Sequence, residues 1–130
     1  MIELEVVTPE RHLLKVMCES VTLPGALGEF EVLEGHTPVL SGLKAGILAY
    51  RDKAVLKRLM IAEGFAEVGP KHVSVLCEGA AFADEINAET EKALIEKLQK
   101  EKSQLAQDDA KEFKRVEAEI ERSAAKLKLF

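Results

Sequence analysis

Few residues here have the makings of a reactive centre. His12, His36 and His72 are the only histidines in 130 residues, and Cys18 and Cys77 the only cysteines. A metal site needs Cys, His or carboxylate ligands at short spacing, and none of these histidines has such a neighbour. Cys18 with a distant histidine would make a thiol nucleophile only if the fold brought a base beside it. No phosphate loop, nucleophile elbow or zinc motif is present. The expectation is a protein that is not an enzyme, with no catalytic residue, cofactor or metal. The cysteines lack metal-like spacing and read as reduced core thiols. His72, between a turn and a strand, reads as a surface residue.

The unusual segment is Gly28-Glu29-Phe30-Glu31-Val32-Leu33-Glu34-Gly35-His36-Thr37-Pro38-Val39-Leu40. Glycines bracket a short strand, and Gly35-His36-Thr37-Pro38 makes a rigid connection. On spacing alone this is a hairpin with a proline-fixed exit. His36 then hydrogen-bonds its own loop, and Glu29, Glu31 and Glu34 stay solvated.

The elements that position this segment are written in two grammars. All 8 glycines and 4 prolines lie at or before Gly79. Glycine and proline punctuate turns and are excluded from helix interiors. In the front part, Ile2, Leu4 and Val6 alternate with Glu3 and Glu5, the period of a half-buried strand. Similar short runs follow at Leu14–Cys18, Val21–Leu23, Phe30–Leu33, Val39–Leu43, Ile47–Tyr50, Val55–Ile61, Phe65–Val68, His72–Leu76 and Ala80–Ala83. Lys53–Met60 alternates least cleanly. Eight to ten short strands with no intervening helix predict a β-sandwich or flattened barrel and exclude parallel βαβ units.

After Gly79 the pattern turns helical. Asn87 reads as an N-cap with Glu89 and Glu91 in the first turn. Leu94, Ile95, Leu98 and Leu105 share a stripe, and Glu96–Lys100 is a supporting pair. Gln107-Asp108-Asp109 interrupts it, and Asp109 with Glu112 resembles a capping box. Phe113, Val116, Ile120, Ala124 and Leu127 form a second stripe. Two amphipathic helices paired as a hairpin are expected, with one long helix as the alternative. The fold class is α+β, a β-sandwich followed by an antiparallel helical hairpin.

The formal net charge of −5 argues against nucleic acid, whose phosphates need a basic face. No run approaches the roughly 20 apolar residues of a membrane span. Met1-Ile2-Glu3-Leu4-Glu5 lacks the basic start and apolar run of a signal peptide. The chain is expected to stay where it is made.

The Gly28–Leu40 segment resembles the epsilon subunit of rotary F-type ATP synthases. That family reads roughly Gly-Glu-(Phe/Leu)-Gly-(Val/Ile)-Leu-x-Gly-His-(Ala/Thr)-Pro-(Leu/Val)-Leu, and this chain departs with Glu31 where glycine is usual. Pro24-Gly25 precedes it. Leu43-Lys44-Ala45-Gly46 resembles the family's Ile-Lys-Pro-Gly. Glu63-Gly64-Phe65-Ala66-Glu67-Val68 resembles Gly-Gly-Phe-x-Glu-Val, with Glu63 replacing the first glycine. Val73–Leu76 and Asp84–Ile86 match the closing strand and hinge. The resemblance covers the whole chain.

It implies a ten-stranded sandwich (1–86) binding the gamma subunit and the membrane c-ring, then a regulatory hairpin (87–130). Glu29, Glu31, His36 and Pro38 fall by position near the ring, while the sandwich face toward gamma is left open. The complex would lie on the cytoplasmic face of a bacterial inner membrane, this chain touching the membrane only through it. The hairpin would fold onto the sandwich or extend toward the catalytic subunits and inhibit hydrolysis. Lys111, Lys114, Arg115, Arg122 and Lys126 would then meet acidic surface, the alternative being a solvated face. Some bacterial members bind ATP through a motif like Ile-Asp-x-x-Arg-Ala. Here Ile86-Asn87-Ala88-Glu89-Thr90-Glu91 lacks the aspartate and the arginine, so weak or no ATP binding is expected. The competing function is an unrelated β-sandwich adaptor with a helical dimerisation tail.

Overall fold

The computed structural model describes residues 1–106 and 109–130. Of the expected interruption at Gln107-Asp108-Asp109, the first two residues lie outside the described set. Ten strands come first: β1 (Ile2–Val7), β2 (His12–Cys18), β3 (Ser20–Gly25), β4 (Gly28–Leu33), β5 (Val39–Leu43), β6 (Gly46–Asp52), β7 (Val55–Ile61), β8 (Gly64–Val68), β9 (His72–Cys77) and β10 (Ala80–Ala81). A 3-10 turn (Ala83–Glu85) takes the place of the last strand's expected end. Two helices follow, α1 (Ala88–Ser103) and α2 (Ala110–Leu127).

The strands form one wrapped sheet in the order β10-β7-β6-β3-β5-β8-β9-β1-β2, with β4 on the remaining edge of β3. Pairing is antiparallel except between β1 and β9, which are parallel and remote in sequence. Along one edge β3 pairs with β6 at Ser20–Thr22 and with β5 at Gly25. That handover lets one sheet fold over itself and enclose a core. Inward residues such as Ile2, Leu4, Leu23, Leu48, Leu59, Ile61 and Val73 are fully buried. The alternation expected of β1 is observed, its residues being buried in turn.

The ambiguous Lys53–Met60 stretch has a local cause. Lys53 and Ala54 adopt φ of 51° and 70°, the left-handed geometry of tight hairpin turns that Gly or Asn usually marks. The first four residues of β7 are exposed and the last three buried. Half the strand overhangs the core, which erases the period.

Gly35 and Gly64 are among the positions that require glycine. Gly35 has a φ of +88°, in the left-handed region. A Cβ on Gly64 would sit 2.0 Å from the Leu76 carbonyl oxygen, so β8 approaches β9 too closely for any side chain. Cys18 and Cys77 are free and buried. Burial pushes the Cys18 thiol up and the Cys77 thiol to about 11.

Asn87 caps α1, its Oδ1 accepting from the Thr90 N–H at 3.1 Å. The capping box at Asp109 does not form. Its φ and ψ of −92° and 60° leave its side chain without a cap hydrogen bond, and Glu112 turns to Arg115 at 3.0 Å. The Glu96–Lys100 pair is also not formed among the described residues.

The helices pair antiparallel, and α2 also packs on β6 and β7. A helix with two neighbours buries two faces. So Val116 of the expected stripe is buried and Ile120, Ala124 and Leu127 are partly buried, while Ser123 and Ala125 outside that stripe are buried too and Phe113 is exposed. Of the α1 stripe, Leu98 is buried and Leu94 exposed.

Candidate interaction surfaces

The Gly28–Leu40 segment splits into two places. Glu29 and Glu31 stand exposed on β4, opposite Pro24 and Thr22 of β3. Phe30 between them and Val32 after them turn inward, as the period of a strand requires. Charge on an edge strand deters pairing with another chain. His36 and Pro38 lie beyond the strand, in a loop tied at several points. The Gly35 N–H donates to the Pro70 carbonyl at 2.7 Å and the His36 N–H to the Leu33 carbonyl at 3.1 Å. The N-terminal amine hydrogen-bonds Glu34 and holds its carboxyl below the usual range. His36 Nδ1 lies 2.7 Å from the Thr37 carbonyl oxygen. His36, Thr37 and Pro38 line a shallow cleft of about 380 Å³ with Phe30, Val39 and Ser41. The four expected residues are therefore an edge-strand pair and a loop pair.

A second surface was not found in the sequence. Phe65 stands opposite Gly42 and Leu76, and Leu76 opposite Val7. This row runs across β5, β8, β9 and β1 on their outer face, and Leu40 extends it. Leu40, Phe65 and Leu76 are 71%, 59% and 58% exposed. Contiguous apolar side chains left in water mark interaction sites. Glu67, Glu5, Glu63 and Glu78 lie around it in the same strands and adjoining turns. The phenylalanine in the Gly64-Phe65 pair was visible as strand, but alternation alone cannot say that an outward residue is apolar for a partner.

The third surface is the underside of α2. Met60, Ala62 and Ala125 are buried together, with Ala45, Ile47, Ile86 and Leu129 packed around them. Arg122 donates from Nε to Glu63 Oε1 at 2.7 Å and also from Nη2 to the same oxygen. Arg58 Nη2 donates to the Lys128 carbonyl at 3.0 Å. Lys126 Nζ reaches the buried Glu91 at 3.3 Å. Arg115 is held by Glu101, Glu112 and Glu119 within 3.0 Å, contacts that raise its pKa. Lys111 and Lys114 are exposed on α2. Three of the five expected basic residues thus already have carboxylates from this chain.

Comparison with known proteins agrees with this arrangement. A family described as ATP synthase, Delta/Epsilon chain, beta-sandwich domain matches residues 1–83. The ATP synthase epsilon chain of Geotalea uraniireducens is 38% identical over 98% of this chain and 92% of its own. That of Syntrophobacter fumaroxidans is 41% identical over 98% and 94%. The chain belongs to the ATP synthase epsilon-chain family. A solved chain from the Euglena gracilis mitochondrial ATP synthase (OSCP/F1/c-ring, rotational state 1) superposes with a TM-score of 0.81 at 25% identity, over 95% of this chain and 78% of that one.

The family match ends where the 3-10 turn begins, and the two relatives continue through the hairpin. Among the described residues no Cys, His, Asp and Glu cluster could hold a metal ion. No helix among them is long and apolar enough to cross a membrane.

Proposed function

We propose that this chain works without catalysis in the central stalk of the proton-translocating ATP synthase. Its sandwich (1–86) transmits rotation and its hairpin (87–130) restrains ATP hydrolysis. The observation that carries this reading is the unequal treatment of the two outer faces of the sandwich. One is covered by a hairpin through a small contact. The other leaves Phe65, Leu76 and Leu40 in water.

The uncovered row is the grip for the gamma subunit. The loop of His36 and Pro38, with Glu29 and Glu31 on the adjoining edge strand, faces the c-ring. A closed, densely packed sheet transmits force with little deformation. The complex sits peripherally on the cytoplasmic face of the bacterial inner membrane.

The hairpin is the brake. Each fully buried Leu or Ile is worth about 1.5–3 kcal/mol, but three of the seven apolar residues at its docking contact are alanines. Reversing a 1:99 population needs about 5.5 kcal/mol of differential binding, a value within reach of contacts to the catalytic subunits. Once extended, the hairpin presents Lys111, Lys114, Arg115, Arg122 and Lys126 to acidic surface there.

Reconstitution with gamma and the catalytic ring tests both halves. The full chain should recover gamma in near-equimolar amount. A chain ending at Asn87, and one with alanine at all five basic positions, should still assemble but hydrolyse ATP faster. Failure to recover gamma rejects the grip. Unchanged hydrolysis with both variants rejects the brake.

A further inference from the structure

We propose that Glu63 is an internal competitor for Arg122. Its carboxylate holds the hairpin down by occupying the guanidinium that the extended hairpin offers to an acidic partner. This deepens the reading of the hairpin as a brake and rests on it.

The two residues are 59 positions apart and meet through two donor nitrogens on one oxygen. Among the described residues theirs is the one ion pair joining either helix to the sandwich strands or their connecting turns. Lys126–Glu91, Lys102–Glu117 and Arg115–Glu101 join α1 to α2, so they travel with the hairpin and are indifferent to its pose. The other links to the sandwich are the Arg58–Lys128 hydrogen bond and the alanine-rich apolar contact. The apolar part sets three alanines among four larger side chains, and burial of apolar surface is non-directional. The ion pair, about a third exposed on both sides, supplies direction and remains open to exchange with solvent.

Exclusivity follows from geometry. Three of the five N–H donors of Arg122 are not used by Glu63, but Arg122 cannot stay on Glu63 once α2 has left the sandwich to meet another subunit. Glu63 therefore opposes docking without touching the docked partner. Removing it should strengthen the brake, whereas removing Arg122 weakens latch and hook together. Exchanging the charges separates the two roles. Glu63→Arg with Arg122→Glu rebuilds the latch but reverses the sign of the hook.

The test uses the full chain labelled at Lys57→Cys on β7 and Lys114→Cys on α2, with the inter-label distance distribution read by pulsed electron resonance. Glu63→Gln should raise the extended-to-folded ratio about two- to fivefold, the range of a partly exposed ion pair. The charge exchange should return it to the parental value. In the reconstituted enzyme Glu63→Gln should slow ATP hydrolysis, and the charge exchange should speed it. An unchanged distance distribution in Glu63→Gln overturns the proposal, as does faster hydrolysis with that variant. Hydrolysis unaffected by truncation at Asn87 would remove the brake reading instead, and the distance measurement would still decide whether the latch exists.

Discussion

Arg11 Nη2 lies 2.9 Å from Glu85 Oε2 and 3.2 Å from the Ala80 carbonyl oxygen. The β1–β2 turn is thereby tied to the segment that leads into the hairpin. Glu85 also accepts from the Phe82 N–H at 3.0 Å. The 3-10 turn is anchored to the sandwich.

Replacing Arg11 with alanine should loosen that anchor locally. Both side chains are more than a third exposed, so the global cost should stay within about 1 kcal/mol. Amide exchange at residues 82–86 should accelerate while the core strands keep their protection. Uniform acceleration across the sandwich would show that Arg11 serves the fold as a whole.

Acid should act at the same place. The Phe82 N–H, then Arg11, hold the Glu85 carboxyl below its usual range. A carboxylate depressed in the folded state stabilises fully above its unfolded pKa of about 4.3. That contribution is lost as pH falls through the lower folded value. Protection at 82–86, the slowing of exchange relative to the unstructured chain at the same pH, should therefore be flat from neutrality to mild acid and fall below that point. Glu85→Gln should abolish the acid limb.

Gly64→Ala should destabilise by about 1–3 kcal/mol, because the new methyl group meets the Leu76 carbonyl and the Cys77 Cα. Gly42→Ala is the control, its Cβ meeting Ala26 at an ordinary 3.7 Å. Urea denaturation of both variants checks the contrast, and equal midpoints would refute it.

Phe65→Glu places a charge in the middle of the uncovered row. The side chain is exposed, so thermal stability should hold. Gamma recovery should fall at least about tenfold, as for an anchor at an interface centre. Full recovery would move the grip to another face.

Calorimetry with ATP should give no micromolar binding isotherm. Asn87 Oδ1 is engaged as a helix cap, Glu91 is buried against Lys126, and Lys92 stands 3.8 Å from Glu89, so carboxylates at the start of α1 oppose phosphate. A clear isotherm would contradict this.

Much of the architecture is readable in the order of residue types. Alternation at Ile2, Leu4 and Val6, the breakers, and the Asn87 cap are local rules with local causes, and strands and helices obey them. The Gly35–Pro38 connection and its family resemblance are equally local. Periodicity tells which side of an element is covered but not by what. So the burial of Ser123 and Ala125, the apolar row of Phe65 and Leu76, and the division of Glu29 and Glu31 from His36 and Pro38 came from packing alone. The missing cap at Asp109 reflects the backbone angles adopted there. Sequence determined the two-part plan and the family; only the tertiary structure decided that Arg122 answers to Glu63. A contact between residues 59 positions apart depends on how a sheet closes and where a helix lands, and neither is encoded in the spacing near either residue.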